Sequence, residues 1–209
     1  MTITEIDLTH LNSVSALRDQ IFNTLPANGR NTIESDTTSL IVKIHPEVHS
    51  TNMYSPLMLL ALYENVKTVK FHNLQTTKYM QKIFVCDKLQ HITLINDGCS
   101  EGDSLFVYLE DYSYEYGNGS QQKITKEQLF KNYFPNCNTL ELWNYAVPLD
   151  ILYSLLTKTN IVKIDLHDCI LQNFGLYDSS QRDNTWTLAA DSLVFSSAAQ
   201  VEQVYLQSQ

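Results

Sequence analysis

Basic residues are scarce in this sequence of 209 residues: 14 lysines and arginines stand against 23 aspartates and glutamates, for a formal net charge of −9. A chain with that balance is not expected to bind nucleic acid, because binding to phosphates needs clustered cations. Hydrophobic residues make up 44% of the chain and charged residues 18%. This composition excludes a disordered chain and predicts one globular domain with a buried core.

Cysteines are few, and the four present form no C-x-x-C pair. Their scatter predicts neither a zinc site nor a disulfide framework, so reduced thiols are expected. The N-terminus has no basic region followed by an apolar stretch, and the longest apolar run, 56–63, is too short to cross a bilayer. We therefore expect a cytoplasmic protein with no membrane partner, and delivery into a host cell is left open.

Motifs of familiar enzymes are missing as well. The chain has no G-x-S-x-G, no P-loop and no G-x-G-x-x-G. His45 and His49 have the spacing of a zinc-protease helix, but Pro46 lies between them and the segment follows a strand-like run. Neither a metal site nor a cofactor is predicted.

A short apolar motif recurs along the chain, with hydrophobic residues at positions one, four and six. The copies are Val66-x-x-Val69-x-Phe71, Leu89-x-x-Ile92-x-Leu94, Cys137-x-x-Leu140-x-Leu142, Ile161-x-x-Ile164-x-Leu166 and Val201-x-x-Val204-x-Leu206, with a partial copy at 42–44. Alternation at positions four and six predicts short strands, near 40–45, 67–72, 90–95, 138–143, 162–167 and 202–207. Helix-like segments precede them at 13–25, 56–64, 76–85, 126–133, 148–157 and 187–200. We expect one parallel sheet in sequential order, with the helices on its other face.

Two intervals between the fourth positions, 23 and 24 residues, fit one helix–strand repeat, and Ile161-x-x-Ile164-x-Leu166-x-x-Cys169 matches the pattern L-x-x-L-x-L-x-x-N/C. From about residue 39 onward the chain resembles the leucine-rich-repeat proteins, of the ribonuclease-inhibitor-like kind. Other copies depart from the last position, so the Asn or Cys ladder of that family is expected to be mostly missing. The resemblance implies a single α/β solenoid over 1–209 with an N-terminal capping helix region at 1–38. Insertions are expected at about 98–123 and 168–185, on one rim. A generic α/β domain with a parallel sheet is the alternative.

Residues at positions one, four and six are expected in the core, with Cys137 and Cys169 as small buried residues and not catalytic thiols. Positions five and seven should point away from it. The fifth positions are Lys43, Lys70, Thr93, Glu141, Asp165 and Tyr205, and the seventh are His45, His72, Ile95, Trp143, His167 and Gln207. A tryptophan with histidine and apolar neighbours is typical of protein-contact hot spots. We therefore predict that a partner binds Lys70, His72, Thr93, Ile95, Glu141, Trp143, Asp165 and His167.

The first insertion adds Tyr112, Tyr114 and Tyr116 to the predicted partner-binding residues. These alternating tyrosines precede Gly117-Asn118-Gly119, which favours a hairpin-like protrusion. Charge is segregated here: residues 91–122 contain no lysine or arginine, whereas 66–88 contain five lysines and one aspartate. Solubility alone does not account for that segregation.

The leading hypothesis is a non-catalytic module for binding another protein, of the kind used by adaptors or host-directed effectors. One alternative is an enzyme with acid–base residues Glu141, Asp165 and His167 on the open side of the sheet. Another is a structural fragment of a larger assembly. The position of Trp143 separates the protein-binding hypothesis from a purely structural role for this residue. A tryptophan open to solvent favours protein binding, whereas one buried beneath 98–123 merely packs under the insertion.

Overall fold

The computed structural model describes residues 2–24, 36–46, 59–60, 63, 65–73, 86–97, 112–115, 121–124, 131, 134–172 and 187–207. The strands in these ranges are β1 (Thr2–Leu8), β2 (Thr37–Ile44), β3 (Thr68–His72), β4 (His91–Ile95), β5 (Tyr112–Glu115), β6 (Gln121–Ile124), β7 (Thr139–Trp143), β8 (Ala146–Pro148), β9 (Lys163–Gln172) and β10 (Thr187–Phe195). The helices are α1 (Val14–Thr24), α2 (Leu149–Lys158) and α3 (Ala198–Gln207). None of them is long and apolar enough to span a membrane.

An eight-stranded, mostly parallel sheet forms the centre of this α/β fold. Its order is β1-β2-β3-β4-β7-β9-β10, and β8 also pairs with β9. All neighbours from β1 to β9 are parallel, whereas β10 runs antiparallel to β9. The predicted parallel order of the strands near 40–45, 67–72, 90–95, 138–143 and 162–167 is therefore confirmed.

The core is built from aligned apolar rows on one side of the sheet. One row is Leu40, Val69, Ile92, Leu140 and Ile164, and the next is Val42, Phe71, Leu94, Leu142 and Leu166. All ten side chains are buried. Because side chains alternate along a strand, this alignment leaves the intervening residues on the opposite side of the sheet.

The alignment corrects the position assigned to the first strand. The motif places Val42 beside Val69, but Leu40 lies there. The predicted alignment of β2 with β3 is therefore wrong by two residues. Ile41 lies beside Lys70 and Lys43 beside His72. His45 follows the end of β2 and is not part of the row that contains His72.

Helices α1 and α2 agree with the predicted helices at 13–25 and 148–157. Helix α2 begins after Pro148, with Asp150 in its first turn and Lys158 in its last, where each charge is favourable. It packs through the buried side chains of Leu149, Ile151, Leu152 and Leu155. The predicted helix at 76–85 lies outside the described residues, as do most of those at 56–64 and 126–133.

The predicted helix at 187–200 and strand at 202–207 are wrong. Residues 187–195 form β10 and residues 198–207 form α3. Tyr205, which the motif places at a fifth position pointing away from the core, is buried on α3 with Val201. Gln207 is the last residue of α3. Neither residue lies on the sheet. The 1-4-6 spacing fits a helix equally well here, because Val201, Val204 and Tyr205 lie at i, i+3 and i+4. The Gln200 Oε1 atom accepts hydrogen bonds from the backbone of Ser196 and Ser197 at 2.6 and 3.2 Å, which caps the helix.

Strand β1 was not expected in the region 1–38, for which only a capping helix was predicted. Thr4, Ile6 and Leu8 turn towards β2 and the core, whereas Ile3, Glu5 and Asp7 are exposed. Alternation of this kind over seven residues is the ordinary signal of a half-buried edge strand.

A row of amides follows the ends of β3, β4 and β7. The Asn96 and Asn144 side chains each donate to the other's backbone carbonyl at 3.1 Å, and Asn73 donates to the Ile44 carbonyl at 3.0 Å. Asn73 and Asn144 have positive φ angles of 60° and 61°, a conformation that asparagine tolerates well. These three asparagines lie at the eighth position of the motif, one residue before the last position of the pattern L-x-x-L-x-L-x-x-N/C.

Asp168 occupies the equivalent position in β9, with φ 50°. The strand continues beyond it to Gln172, with Cys169 and Leu171 turned into the core. The insertion predicted at about 168–185 therefore does not begin at 168, and residues 173–186 lie outside the described residues. In the region of the insertion predicted at about 98–123, β5 and β6 pair antiparallel, in agreement with the predicted hairpin.

Candidate functional site

The side of the sheet opposite the core rows carries three rows of side chains, one residue from each of β1, β2, β3, β4, β7 and β9. We call this surface the open face. Its rows are Ile3, Ser39, Thr68, His91, Thr139 and Lys163; Glu5, Ile41, Lys70, Thr93, Glu141 and Asp165; and Asp7, Lys43, His72, Ile95, Trp143 and His167. Apart from Thr93, these side chains are exposed or half-buried. Neighbours within a row are about 4.8 Å apart, which brings side chains on adjacent strands into contact.

Glu141 is the centre of the most connected group on the open face. Its Oε2 atom accepts a hydrogen bond from the Thr93 hydroxyl at 2.9 Å and lies 3.3 Å from His91 Nε2. Its Oε1 atom accepts a hydrogen bond from the Trp143 indole N–H at 2.8 Å and lies 3.5 Å from His167 Nε2. Both carboxylate oxygens therefore face donors from β4, β7 and β9. We call Glu141 with these four residues the Glu141 cluster.

The charged form of Glu141 is favoured in this setting. Burial by itself would raise the pKa of the Glu141 carboxyl, but hydrogen bonds from Trp143, Thr93 and His91 outweigh burial and lower the pKa below its ordinary value. The Glu141 carboxylate is therefore ionised at neutral pH, although only 22% of the side chain is exposed.

A replacement of Glu141 by glutamine tests this assignment. At pH 6 we expect Glu141→Gln to lower the free energy of unfolding by about 1–3 kcal/mol. Both oxygens of the carboxylate accept hydrogen bonds, whereas an amide has one oxygen that accepts and one NH₂ group that can only donate. A group with a lowered folded-state pKa stabilises the protein above its unfolded pKa and loses that effect as the pH falls through the folded value. The difference between wild type and variant should therefore shrink as the pH falls below the ordinary glutamate pKa of 4.5 and through the lowered folded-state value. Urea titrations across that range provide the measurement, and a pH-independent difference would contradict the assignment.

Trp143 and His167 stack on each other across adjacent strands. Their ring centroids are 4.0 Å apart and the ring planes are inclined by 16°. The indole is half-buried, and its N–H is fixed by Glu141. On its other side the next residue in the row is Ile95, which is also half-buried. The indole is therefore held in one orientation on the open face, beside an aliphatic side chain.

Asp165 lies next to Glu141 in its row but is bonded elsewhere. Its Oδ2 atom accepts from the Lys163 ammonium at 2.7 Å, and its Oδ1 atom is buried with no hydrogen-bond partner among the described residues. The structure thus brings Glu141 and His167 together, two of the three residues of the acid–base alternative. Asp165 forms an ion pair with Lys163 on its own strand.

The other predicted partner-binding residues are distributed around this group. His72 lies in the same row as Ile95, with its Nδ1 atom 2.6 Å from Asp97 Oδ2. Lys70 and Thr93 are neighbours in the middle row. Tyr112 and Tyr114 lie in β5, and Tyr116 lies outside the described residues.

His91 contacts Glu141, although positions five and seven of the motif do not include it. It lies at the third position of its repeat, which faces the same side as positions five and seven. Since outward side chains recur every second residue, reading positions three, five and seven together would have found it.

The cysteines behave as core residues where the structure describes them. Cys137 and Cys169 are buried, as predicted, and burial raises the pKa of the Cys137 thiol to about 12. The Cys169 thiol donates to the Leu142 carbonyl of the neighbouring strand at 3.4 Å. A thiol with such a pKa is a poor nucleophile at neutral pH.

Among the described residues, no group of three or more His, Cys, Asp or Glu side chains is arranged to hold a metal ion. His49, half of the superficial zinc-protease spacing, lies outside the described residues. Comparisons with family models, curated proteins and solved structures find no match to this chain. Function is therefore argued from the side chains of the open face.

Proposed function

We propose that the chain is a non-catalytic protein-binding module, a solenoid of leucine-rich-repeat type whose open face contacts another protein. The observation that carries the proposal is the Trp143 side chain, which is half-buried, stacked on His167 and hydrogen-bonded to Glu141. Large aromatic side chains that are held in place before a partner arrives lose little entropy on binding, and they dominate many protein interfaces.

The rest of the open face supports this proposal. Ile95 lies beside Trp143, and polar residues surround the pair, which is the arrangement of an apolar centre with a polar rim. Parallel strands in sequential order give a continuous surface on which an extended contact can form. An adaptor or a host-directed effector would use such a surface.

Acid–base catalysis is the second candidate, because His167 Nε2 lies 3.5 Å from Glu141 Oε1. Both oxygens of Glu141 already face donors from the open face. A substrate would have to displace one of them to reach the carboxylate. Protein binding requires no such displacement, and we place it first.

Capture from a native lysate tests the proposal. Wild type, Trp143→Ala and Leu206→Ala are immobilised separately, and the retained proteins are quantified by mass spectrometry. Leu206 is the matched control because its side chain is 69% exposed on α3, a helix that contributes no residue to the rows of the open face. We expect proteins that wild type and Leu206→Ala retain and Trp143→Ala loses. Equal retention by all three would contradict binding through the open face.

A further inference from the structure

Each carboxylate of the open face already has a hydrogen-bond or ion-pair donor nearby. Glu5 pairs with Lys43 at 2.6 Å and Asp165 with Lys163 at 2.7 Å. Glu141 is bound within its cluster, and Asp7 accepts from the Thr9 hydroxyl at 2.6 Å. A basic side chain from a partner would therefore have to compete with an existing donor at each of these carboxylates.

Lys70 is different from the other two lysines of the open face. Lys43 and Lys163 are each paired with a carboxylate, whereas Lys70 is exposed and makes no ion pair or hydrogen bond with the part of the chain that the structure describes. Its neighbours in the row are Ile41 and Thr93, neither of which carries a charge. Within the described residues, the open face thus presents in its middle row a cation that has no partner, and we call Lys70 the unpaired cation.

The unpaired cation and the apolar centre are close enough for one partner segment to touch both. Lys70 is two strands and two residues away from Trp143, and one strand and two residues away from Ile95. With strands about 4.8 Å apart and residues about 3.3 Å apart, the Cα atoms of Lys70 and Trp143 are separated by about 12 Å. An extended segment of four or five residues spans that distance.

From this juxtaposition we infer that the partner is acidic at this site, presenting a carboxylate to Lys70 and an apolar or aromatic side chain to Ile95 and Trp143. The inference rests on the proposed function and names the partner's chemistry. The net charge of −9 does not oppose it, because distant exposed charges are screened at physiological salt. The two nearest carboxylates of the row, Glu5 and Glu141, are each two strands from Lys70 and are already bonded to donors. Pairing at Lys70 is decided by its immediate surroundings.

A phage-displayed library of random 12-residue peptides supplies the probe. The library is selected on wild type at physiological salt and depleted on Trp143→Ala, so that the retained peptides depend on the open face. We expect them to be enriched in aspartate or glutamate together with aromatic or aliphatic residues. A synthetic peptide of the enriched sequence should lose about tenfold or more in affinity for Lys70→Glu, because like charges then face each other.

Lys67→Glu is the matched control. Lys67 is exposed in the same basic stretch but precedes β3 and is not part of the open face. The same change in net charge there should alter affinity by less than about threefold. In the complementary test, replacing the acidic residue of the peptide by lysine should weaken binding to wild type and improve binding to Lys70→Glu.

Three results would overturn the inference. They are retained peptides that are basic or uncharged, equal losses in Lys70→Glu and Lys67→Glu, and a random-sequence oligonucleotide that binds wild type but not Lys70→Glu. The first two leave protein binding through Trp143 intact. A failure of the proposed function looks different, because every peptide that binds wild type would then bind Trp143→Ala as well.

Discussion

Replacement of Leu166 by alanine is expected to lower the free energy of unfolding by about 2–5 kcal/mol. Leu166 is fully buried in β9, between Leu142 of β7 and Leu193 of β10. Removing its side chain leaves a cavity among strands that cannot close it, because their spacing is fixed by backbone hydrogen bonds. Denaturant titration followed by circular dichroism measures the loss.

Asp165→Ala provides the control for the Leu166 variant, one residue away on the open face. Its ion pair with a half-exposed Lys163 contributes little to stability, and its buried Oδ1 atom has no partner in the part of the chain that the structure describes. We expect a loss below about 1 kcal/mol. Equal losses in the two variants would mean that the core side and the open face are interchanged.

Replacement of Trp143 by alanine is expected to weaken partner binding by about 2 kcal/mol or more, which is about thirtyfold in Kd. The variant loses the ring that stacks on His167 and the indole N–H that Glu141 fixes. Because the side chain is only half-buried, the variant should remain folded, with a loss of stability of the same order as that of Glu141→Gln, since both variants weaken the hydrogen bonding of Glu141. Surface plasmon resonance with a captured partner measures the affinity, and circular dichroism reports the fold.

Trp143→Phe separates the two contributions of the indole. Phenylalanine keeps an aromatic ring beside His167 and Ile95 but has no N–H for Glu141. We expect an intermediate loss of affinity, since the ring remains while its orientation is no longer fixed. Wild-type affinity in both variants would place the contact elsewhere on the molecule. A folded protein with reduced stability and unchanged affinity would make Trp143 a structural residue.

The parallel sheet was predictable because its signal is local. Apolar residues at positions four and six recur in β3, β4, β7 and β9, and a strand with one buried side has to alternate. The register of β2 was not predictable from its own residues. A slip of two residues keeps every side chain on the same side of the sheet, so the apolar residues from Leu40 to Ile44 fit two alignments. Contacts with β3 select one of them.

The C-terminal error has a related cause. Val201, Val204 and Leu206 fit the strand motif, but Val201, Val204 and Tyr205 also fit one side of a helix, and a short apolar pattern does not decide between them. Ser197 and Gln200 carry the deciding signal, since a serine followed three residues later by glutamine marks a helix start.

The candidate site was predicted in outline and not in detail. Positions five and seven of the motif predict one surface, and the structure places their residues together on the open face. These residues are Thr93, Ile95, Glu141, Trp143 and His167. Their mutual hydrogen bonds depend on how long side chains turn across strands, which spacing does not specify. The spacing likewise does not specify that Asp165 pairs with Lys163, or that Lys70 has no such pairing among the described residues.

Site-specific photo-cross-linking tests the central claim most directly. A benzoylphenylalanine placed at Ile95, beside Trp143, reports contacts at the open face, and the same residue at Leu206 reports contacts at α3. Both proteins are irradiated in a native lysate, and cross-linked species are identified by mass spectrometry. The account predicts a specific cross-linked protein from position 95 and none from position 206. The cross-link from position 95 should disappear when the same chain also carries Trp143→Ala. Cross-linking from position 206 alone would contradict it.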